Sequence, residues 1–311
     1  MLQAFVVREK ELVPLDGVQD RCWVNIVEPE MDELTQLAEQ YDIPMEFLEA
    51  ALDPDERSRY EREDDVDLIL LRTPMINFNE NSVVPYITRP LAVLIKDHLV
   101  ITISHRENPV MRDFLKGRVK NFNPEHVVRF LLQIFYRTTL RFLNYLRDIN
   151  AQTTTLEQQL QESPENDDLL KLMNYEKSLV YFTTSLRSNQ IMLDRFKRTG
   201  MFRKAMEDEQ ELHDDVIIDN IQAIEMANIY TNITSGLMET FASLISNNLN
   251  RVMKTLTQIT ILLALPTLIA SLFGMNVPLP MQENPYGYMI IIGVCVGITV
   301  AGFWAFKKLR F

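Results

Sequence analysis

Thr255–Gln282 reads TLTQITILLALPTLIASLFGMNVPLPMQ and carries no charged side chain. Its apolar part, Thr255–Phe273, is long enough to cross a bilayer core of ~30 Å as a helix of about 20 residues. The run is not uniformly apolar. Asn250, Met253, Thr257, Thr260, Ala264, Thr267 and Ser271 recur at alternating steps of three and four, the heptad seam of a self-associating helix, here filled with small and polar side chains. Hydroxyls facing lipid would serve nothing, so the seam is expected to face other copies of the chain or water. The plainer alternative is a membrane anchor in which each Thr bonds back to its own helix carbonyls and Gly274 stops the helix. The span ends on Gly274-Met275-Asn276, followed by Val277-Pro278-Leu279-Pro280.

A second span, Tyr288–Phe306, lacks the polar seam. Gly293, Gly297, Ala301 and Gly302 place small residues about four apart, a pattern suited to packing against the first span. Trp304 and Phe306 precede Lys307-Lys308-Leu309-Arg310, an interfacial end with positive charge, and Arg251 and Lys254 lie just before the first span. The loop Val277–Gly287 has Glu283 and no Lys or Arg. By the positive-inside rule both termini are cytosolic and the loop is outside the cell membrane. Upstream, a helical pattern starts near Asp214 and meets no clear breaker before Pro266, apart from an isolated Gly236. Continuous to Phe273, it would hold about 60 residues and run roughly 90 Å, far more than a membrane needs. One helix is therefore expected to link the cytosolic body to the membrane.

The chain has 311 residues and a net charge of −12, with 43 acidic residues against 31 Lys and Arg. That balance argues against nucleic acid, which selects basic patches, and is compatible with handling cations. Cys22 and Cys295 are far apart, so neither a disulfide framework nor a CxxC zinc knuckle exists, and the body reads as reducing and cytosolic. The start, MLQAFVVREKELV, lacks the basic and apolar regions of a cleaved signal peptide. The expected fold class is an α+β cytosolic domain, a small sheet with flanking helices, followed by long helices and two transmembrane helices that form an oligomeric helical pore.

Short β-rich runs occur at Ala4–Val7 and Cys22–Val27, helices after Pro29 and Pro44, a buried strand at Asp67–Pro74, and a hairpin of Tyr86–Ile95 with Leu99–Ser104. Asn123 to about Gln161 and Asp167 to about Arg198 read as a helical hairpin broken at Ser163-Pro164-Glu165, with Met201–Asp214 as a charged connection. The domain organisation expected is 1–120 for the α/β domain, 121–213 for the hairpin, 214–276 for the long helix, 277–287 for the outer loop, 288–306 for the second span and 307–311 for a basic tail. His98, His105, His126 and His213 have no second ligand at metal spacing and read as surface or loop residues. No GxGxxG loop or nucleophile–base pattern suggests an enzyme.

Gly274-Met275-Asn276 at the end of the first of two spans, with Ser235-Gly236-Leu237, Asn250, Val252-Met253-Lys254, Leu256-Thr257, Pro266-Thr267-Leu268-Ile269-Ala270 and the stretch Leu52–Glu61, resembles the CorA family of magnesium transporters. The resemblance implies a homopentamer in the lipid membrane. Gly274, Met275 and Asn276 would then be the outer selectivity filter. A ring of neutral Asn276 amides suits hydrated Mg²⁺, because it accepts hydrogen bonds from the ion's waters without stripping them. Zinc-carrying relatives tend to have Ile where Met275 stands. Asn250, Met253, Leu256, Thr257, Thr260, Ala264 and Thr267 would line the pore, with Met253 and Leu256 closing it by dewetting, unless they merely pack the helix interface.

The run Glu207, Asp208, Glu209, Glu211, Asp214, Asp215 and Asp219 is ordinarily a solvated face. By resemblance, Asp215 matches one carboxylate of the regulatory Mg²⁺ sites between cytosolic domains of adjacent subunits and Glu239 an acidic position on the cytosolic part of the pore helix, both read as regulatory metal residues, with Asp64, Asp65 and Asp67 as acidic candidates for the partner. Cytosolic Mg²⁺ would then be both substrate and regulator, holding the bundle closed. A divalent cation entering down 100 mV gains about 4.6 kcal/mol, so no nucleotide motif is needed. The rivals are a Zn²⁺, Co²⁺ or Ni²⁺ transporter on the same scaffold and a non-transporting, membrane-anchored interaction protein.

Overall fold

The apolar run around Asp67–Pro74 becomes an inner strand of a seven-stranded sheet. Its order is β2 (Glu11–Leu15), β1 (Leu2–Arg8), β3 (Trp23–Val27), β7 (Leu99–Ser104), β6 (Tyr86–Lys96), β5 (Val66–Ile76) and β4 (Arg59–Glu63). All neighbours are antiparallel except β3 and β7, which run parallel with Asn25 opposite Thr102. This computed structural model describes residues 2–8, 11–18, 21–79, 82–120, 122–162, 166–275 and 285–308. The chain divides into two compact units, Met1–Met238 and Glu239–Phe311.

Both faces of the sheet are covered, which is why β7 is buried at every position and β5 nearly so. On one face Val24, Leu68, Leu70, Ala92 and Leu94 pack with Leu34 and Leu37 of α1 (Met31–Tyr41) and with Phe47 and Leu48 of α2 (Met45–Glu49). On the other, Trp23, Ile69, Leu71, Leu91 and Val93 meet Phe114 of α3 (Pro109–Leu115), Phe130 of α4 (Val127–Glu162) and Phe196 of α5 (Asn166–Phe196). Trp23 is the centre of this second layer. It is wholly buried, its ring lies 5.4–6.4 Å from those of Phe5, Phe114, Phe122 and Phe130, and its Nε1 donates to Thr102 Oγ1 at 2.9 Å.

β2 and β4 were not expected from the sequence. They are the two edges of the sheet, where one side is open and the residues need not be apolar. β4 reads RYERE, and β2 carries Pro14, a residue tolerated on an edge.

α4 and α5 form the expected antiparallel hairpin. Phe135 approaches Phe196 and Phe142 approaches Phe182, so early positions of one helix meet late positions of the other. The Ser163-Pro164-Glu165 break lies outside the described residues. Phe142, Leu146, Leu179, Phe182 and Leu186 enclose Ala223 and Ala227 of α6 (Glu207–Phe273).

α6 begins seven residues earlier than Asp214, inside the stretch expected to be a connection. The acidic run is what starts it. Glu207, Asp208 and Glu209 fill its first turn, where negative charge complements the helix dipole, and Glu209 Oε2 accepts from the Met206 N–H at 2.9 Å. Asp208 pairs with Arg129, and Asp214 accepts from Lys197 Nζ at 2.8 Å, so the run is only partly a solvated face. His213 is a core residue rather than a surface one. It is wholly buried, with Nε2 3.4 Å from Leu193 O, Nδ1 3.2 Å from Asp214 Oδ1 and its ring 4.8 Å from that of Phe202. The hydrogen bonds from Lys197, then His213, hold the Asp214 carboxyl below its ordinary range. α6 continues through Pro266 without ending there, and α7 (Gly287–Lys308) is the last helix.

Candidate functional site

α6 and α7 are long and apolar enough to cross a membrane. Within Glu239–Phe311, α7 covers one side of α6. From 246 to 273 the half-buried residues of α6 are Gln258, Leu262, Pro266 and Ile269, one stripe at steps of three and four. Those of α7 include Ile291, Cys295, Ile298, Gly302 and Phe306. Two contacts join the stripes. A Cβ at Gly302 would lie 2.9 Å from Leu262 Cδ2, and Cys295 Sγ lies 3.9 Å from the Pro266 carbonyl oxygen. Gly302 thus makes the close approach, as expected. Gly293 and Gly297 do not, because a Cβ on either would meet nothing within 4 Å. They lie two residues out of step with Cys295, about 200° around the helix, so the small-residue line points away from the contact.

The seam of α6 occupies the other side. At about 100° per residue, Thr257, Thr260, Ala264, Thr267 and Ser271 centre roughly opposite the stripe facing α7. Asn250, Met253, Leu256 and all of these are exposed in the single chain, Met253 by 55% and Leu256 by 58%. Each described threonine hydroxyl of the seam bonds back by one turn. Thr257 Oγ1 donates to Met253 O at 2.8 Å, Thr260 to Leu256 O at 2.8 Å and Thr267 to Leu263 O at 2.7 Å. The anchor alternative anticipated these bonds. They engage the hydroxyl hydrogen alone, so the oxygen lone pairs remain on the exposed face as acceptors.

The helix closes at Phe273. The Gly274 N–H donates to Ala270 O at 3.0 Å and Ser271 O at 3.2 Å, and Met275 N to Leu272 O at 3.4 Å. Met275 is half exposed at 52%. Asn276 and most of the loop after it lie outside the described residues.

The acidic candidates are not gathered. Asp215 and Glu239 are exposed on α6. Asp67 is buried, accepts from the Tyr60 hydroxyl and sits 3.9 Å from Arg62, while Asp65 lies 3.5 Å from Lys96. Asp64 takes a left-handed turn conformation at φ 49°. Among the described residues of one chain, no three His, Cys, Asp or Glu side chains converge on a metal position.

A sequence model of the CorA-like Mg²⁺ transporter protein family matches residues 18–308. The cobalt/magnesium transport protein CorA of Methanocaldococcus jannaschii is 28% identical over 292 residues, covering 92% of this chain and 90% of that protein. The complete structure of the CorA magnesium transporter from the same organism superposes with a TM-score of 0.81 at 24% identity, covering 99% of this chain and 98% of that one. The full-length CmaX protein shares the fold at a TM-score of 0.70 and 18% identity, covering 99% and 97%.

Proposed function

The chain belongs to the CorA-like Mg²⁺ transporter protein family, a family of divalent-cation transporters, and from that membership we propose that it conducts Mg²⁺ across the cell membrane as a channel-like homo-oligomer. The observation that carries this reading is the bare polar seam of α6 opposite the side that α7 covers. Copies arranged with their seams inward, five by family resemblance, enclose an axis lined by threonine oxygens. Waters bound to Mg²⁺ are strong donors, and a wall that presents acceptors suits them. Asn276 supplies the amide ring at the outer mouth, beside Gly274 and Met275. Met253 and Leu256 close the inner end by dewetting when the helices approach, with Asn250 beside them.

Flow is inward under the membrane potential with both termini cytosolic, since a divalent ion gains about 4.6 kcal/mol per 100 mV. By family resemblance, Asp215 and Glu239 would serve regulatory Mg²⁺ binding across subunit boundaries, and both are exposed in one chain. The ion lowers flux by binding the closed assembly more tightly than the open one. Co²⁺ is a second substrate to test, since the relative from M. jannaschii is a cobalt/magnesium protein.

The test is uptake into liposomes holding the full chain, read with a Mg²⁺-sensitive dye under an inside-negative potential. Wild type admits Mg²⁺, and Asn276→Ala loses about tenfold or more in flux or loses discrimination among ions. Entry of Zn²⁺ without Mg²⁺ would overturn the substrate, and no divalent entry at any internal Mg²⁺ concentration would overturn the pore.

A further inference from the structure

A cavity of about 590 Å³ opens in Met1–Met238 where β5, β6, the loop after β7 and α3 meet. Its volume is in the range of small-molecule sites. Four guanidinium groups line it, those of Arg72, Arg89, Arg106 and Arg112, together with His105. The carboxylates on its wall are Glu28, Asp55 and Glu107. Arg72 is held by neutral acceptors. Its Nη1 donates to Glu56 O at 2.7 Å, Nη2 to Thr88 O at 3.1 Å, and Nε to Thr88 Oγ1 and Ser185 Oγ, both at 3.2 Å. These bonds fix the group without cancelling its charge. Burial first, then the like charge of Arg89, pulls its pKa below the ordinary arginine range, against the opposing charges of Asp55, Asp53 and Glu56. Arg112 has Glu107 at 3.9 Å, a loose and exposed pair. Among the described residues, the side chains of Arg89 and Arg106 make no hydrogen bond or ion pair, while the Arg89 main-chain carbonyl accepts from Thr73 Oγ1 at 3.2 Å.

One guanidinium held by neutral acceptors, with two unpaired arginine side chains on the same concave wall, offers a site for an anion. We infer that this cavity binds a phosphate-bearing small molecule, with Arg89 and Arg106 as its principal contacts and Arg72 as a fixed positive charge behind them. Guanidinium groups match phosphate oxygens in paired, charge-assisted hydrogen bonds. Tyr145 and Tyr181, also on the wall, offer aromatic surface to a nucleotide's ring. The transport reading plays no part in this inference, which stands whatever ion the protein carries.

The test is isothermal titration of the full chain in detergent with pyrophosphate, ATP and citrate, each without divalent ions. Arg89→Gln and Arg106→Gln are compared with wild type after circular dichroism confirms that they fold. Pyrophosphate or ATP should bind with a Kd below about 1 mM, and each substitution should weaken binding about tenfold or more. No binding up to about 5 mM, or binding untouched by both substitutions, overturns the site. Citrate bound as tightly as the phosphates overturns the phosphate class.

Discussion

Trp23 and Thr260 represent the two units, and their surroundings are opposite. Trp23 is enclosed on every side, and its single donor is engaged with Thr102. Thr260 bonds only to its own helix and is otherwise bare. Around it Leu256, Leu263 and Leu268 are 58–67% exposed. Around Trp23 the sequence supplies both halves of the contacts within one chain. In Glu239–Phe311 it supplies one half, and lipid or further copies must supply the other. Burial within one chain therefore marks completeness around Trp23 and need around Thr260.

The comparison breaks first at Trp23. Trp23→Ala should destabilise the first unit by about 3–5 kcal/mol, as large cavities at aromatic sites do. Loss of cooperative thermal melting in the full chain reads this directly. A midpoint within about 2 °C of wild type would show that the first unit does not depend on its enclosed centre.

A smaller effect belongs to Tyr86, beside α4 and α5. Burial first, then the charge of Asp148, pushes its hydroxyl up to about 12. In the unfolded chain tyrosine ionises near pH 10. The folded state therefore holds its full advantage below about pH 10 and loses it as pH rises toward 12. Half exposure limits the loss to about 1 kcal/mol. Tyr60, also raised to about 12, contributes in the same window. Tyr86→Phe should flatten the alkaline fall in stability between pH 10 and 12 only in part, and an unchanged slope would remove Tyr86 from the account.

The smallest expected stability change sharpens the contrast. Thr260→Val keeps the shape of an exposed side chain and removes a bond internal to the helix, so stability should move by less than about 0.5 kcal/mol. On the proposed pore reading Mg²⁺ flux should nonetheless fall several-fold, because an acceptor that would face the axis is replaced by a methyl group. Unchanged flux would take Thr260 off the pathway. A destabilisation of several kcal/mol would mean that the second unit is complete in one chain after all.

What the sequence disclosed follows the same division. β5, β6 and β7 were legible because burial on both faces demands continuous apolar runs. β2 and β4 were not, because an edge strand is chosen by its neighbour's open hydrogen bonds rather than by its own composition. The α6 seam was legible as a period along a single helix. The face of α7 that meets the opposite side of α6 was legible only at Gly302, which reaches Leu262, since Gly293 and Gly297 lie on another side of that helix. His213 next to a run of carboxylates carries no local sign that Leu193 and Phe202 will close over it. The arginines of the cavity come from β5, β6, the loop after β7 and α3, so no stretch of sequence displays them together.

The back-bonded threonines also bear on protons. Passing a proton along a row of hydroxyls requires each to release its own hydrogen toward the next and then reorient. At Thr257, Thr260 and Thr267 that hydrogen is tied to a carbonyl one turn behind, within the helix that carries it. Should these threonines line the proposed pore, they would meet a cation's water shell as acceptors and would not themselves hand a proton along the row.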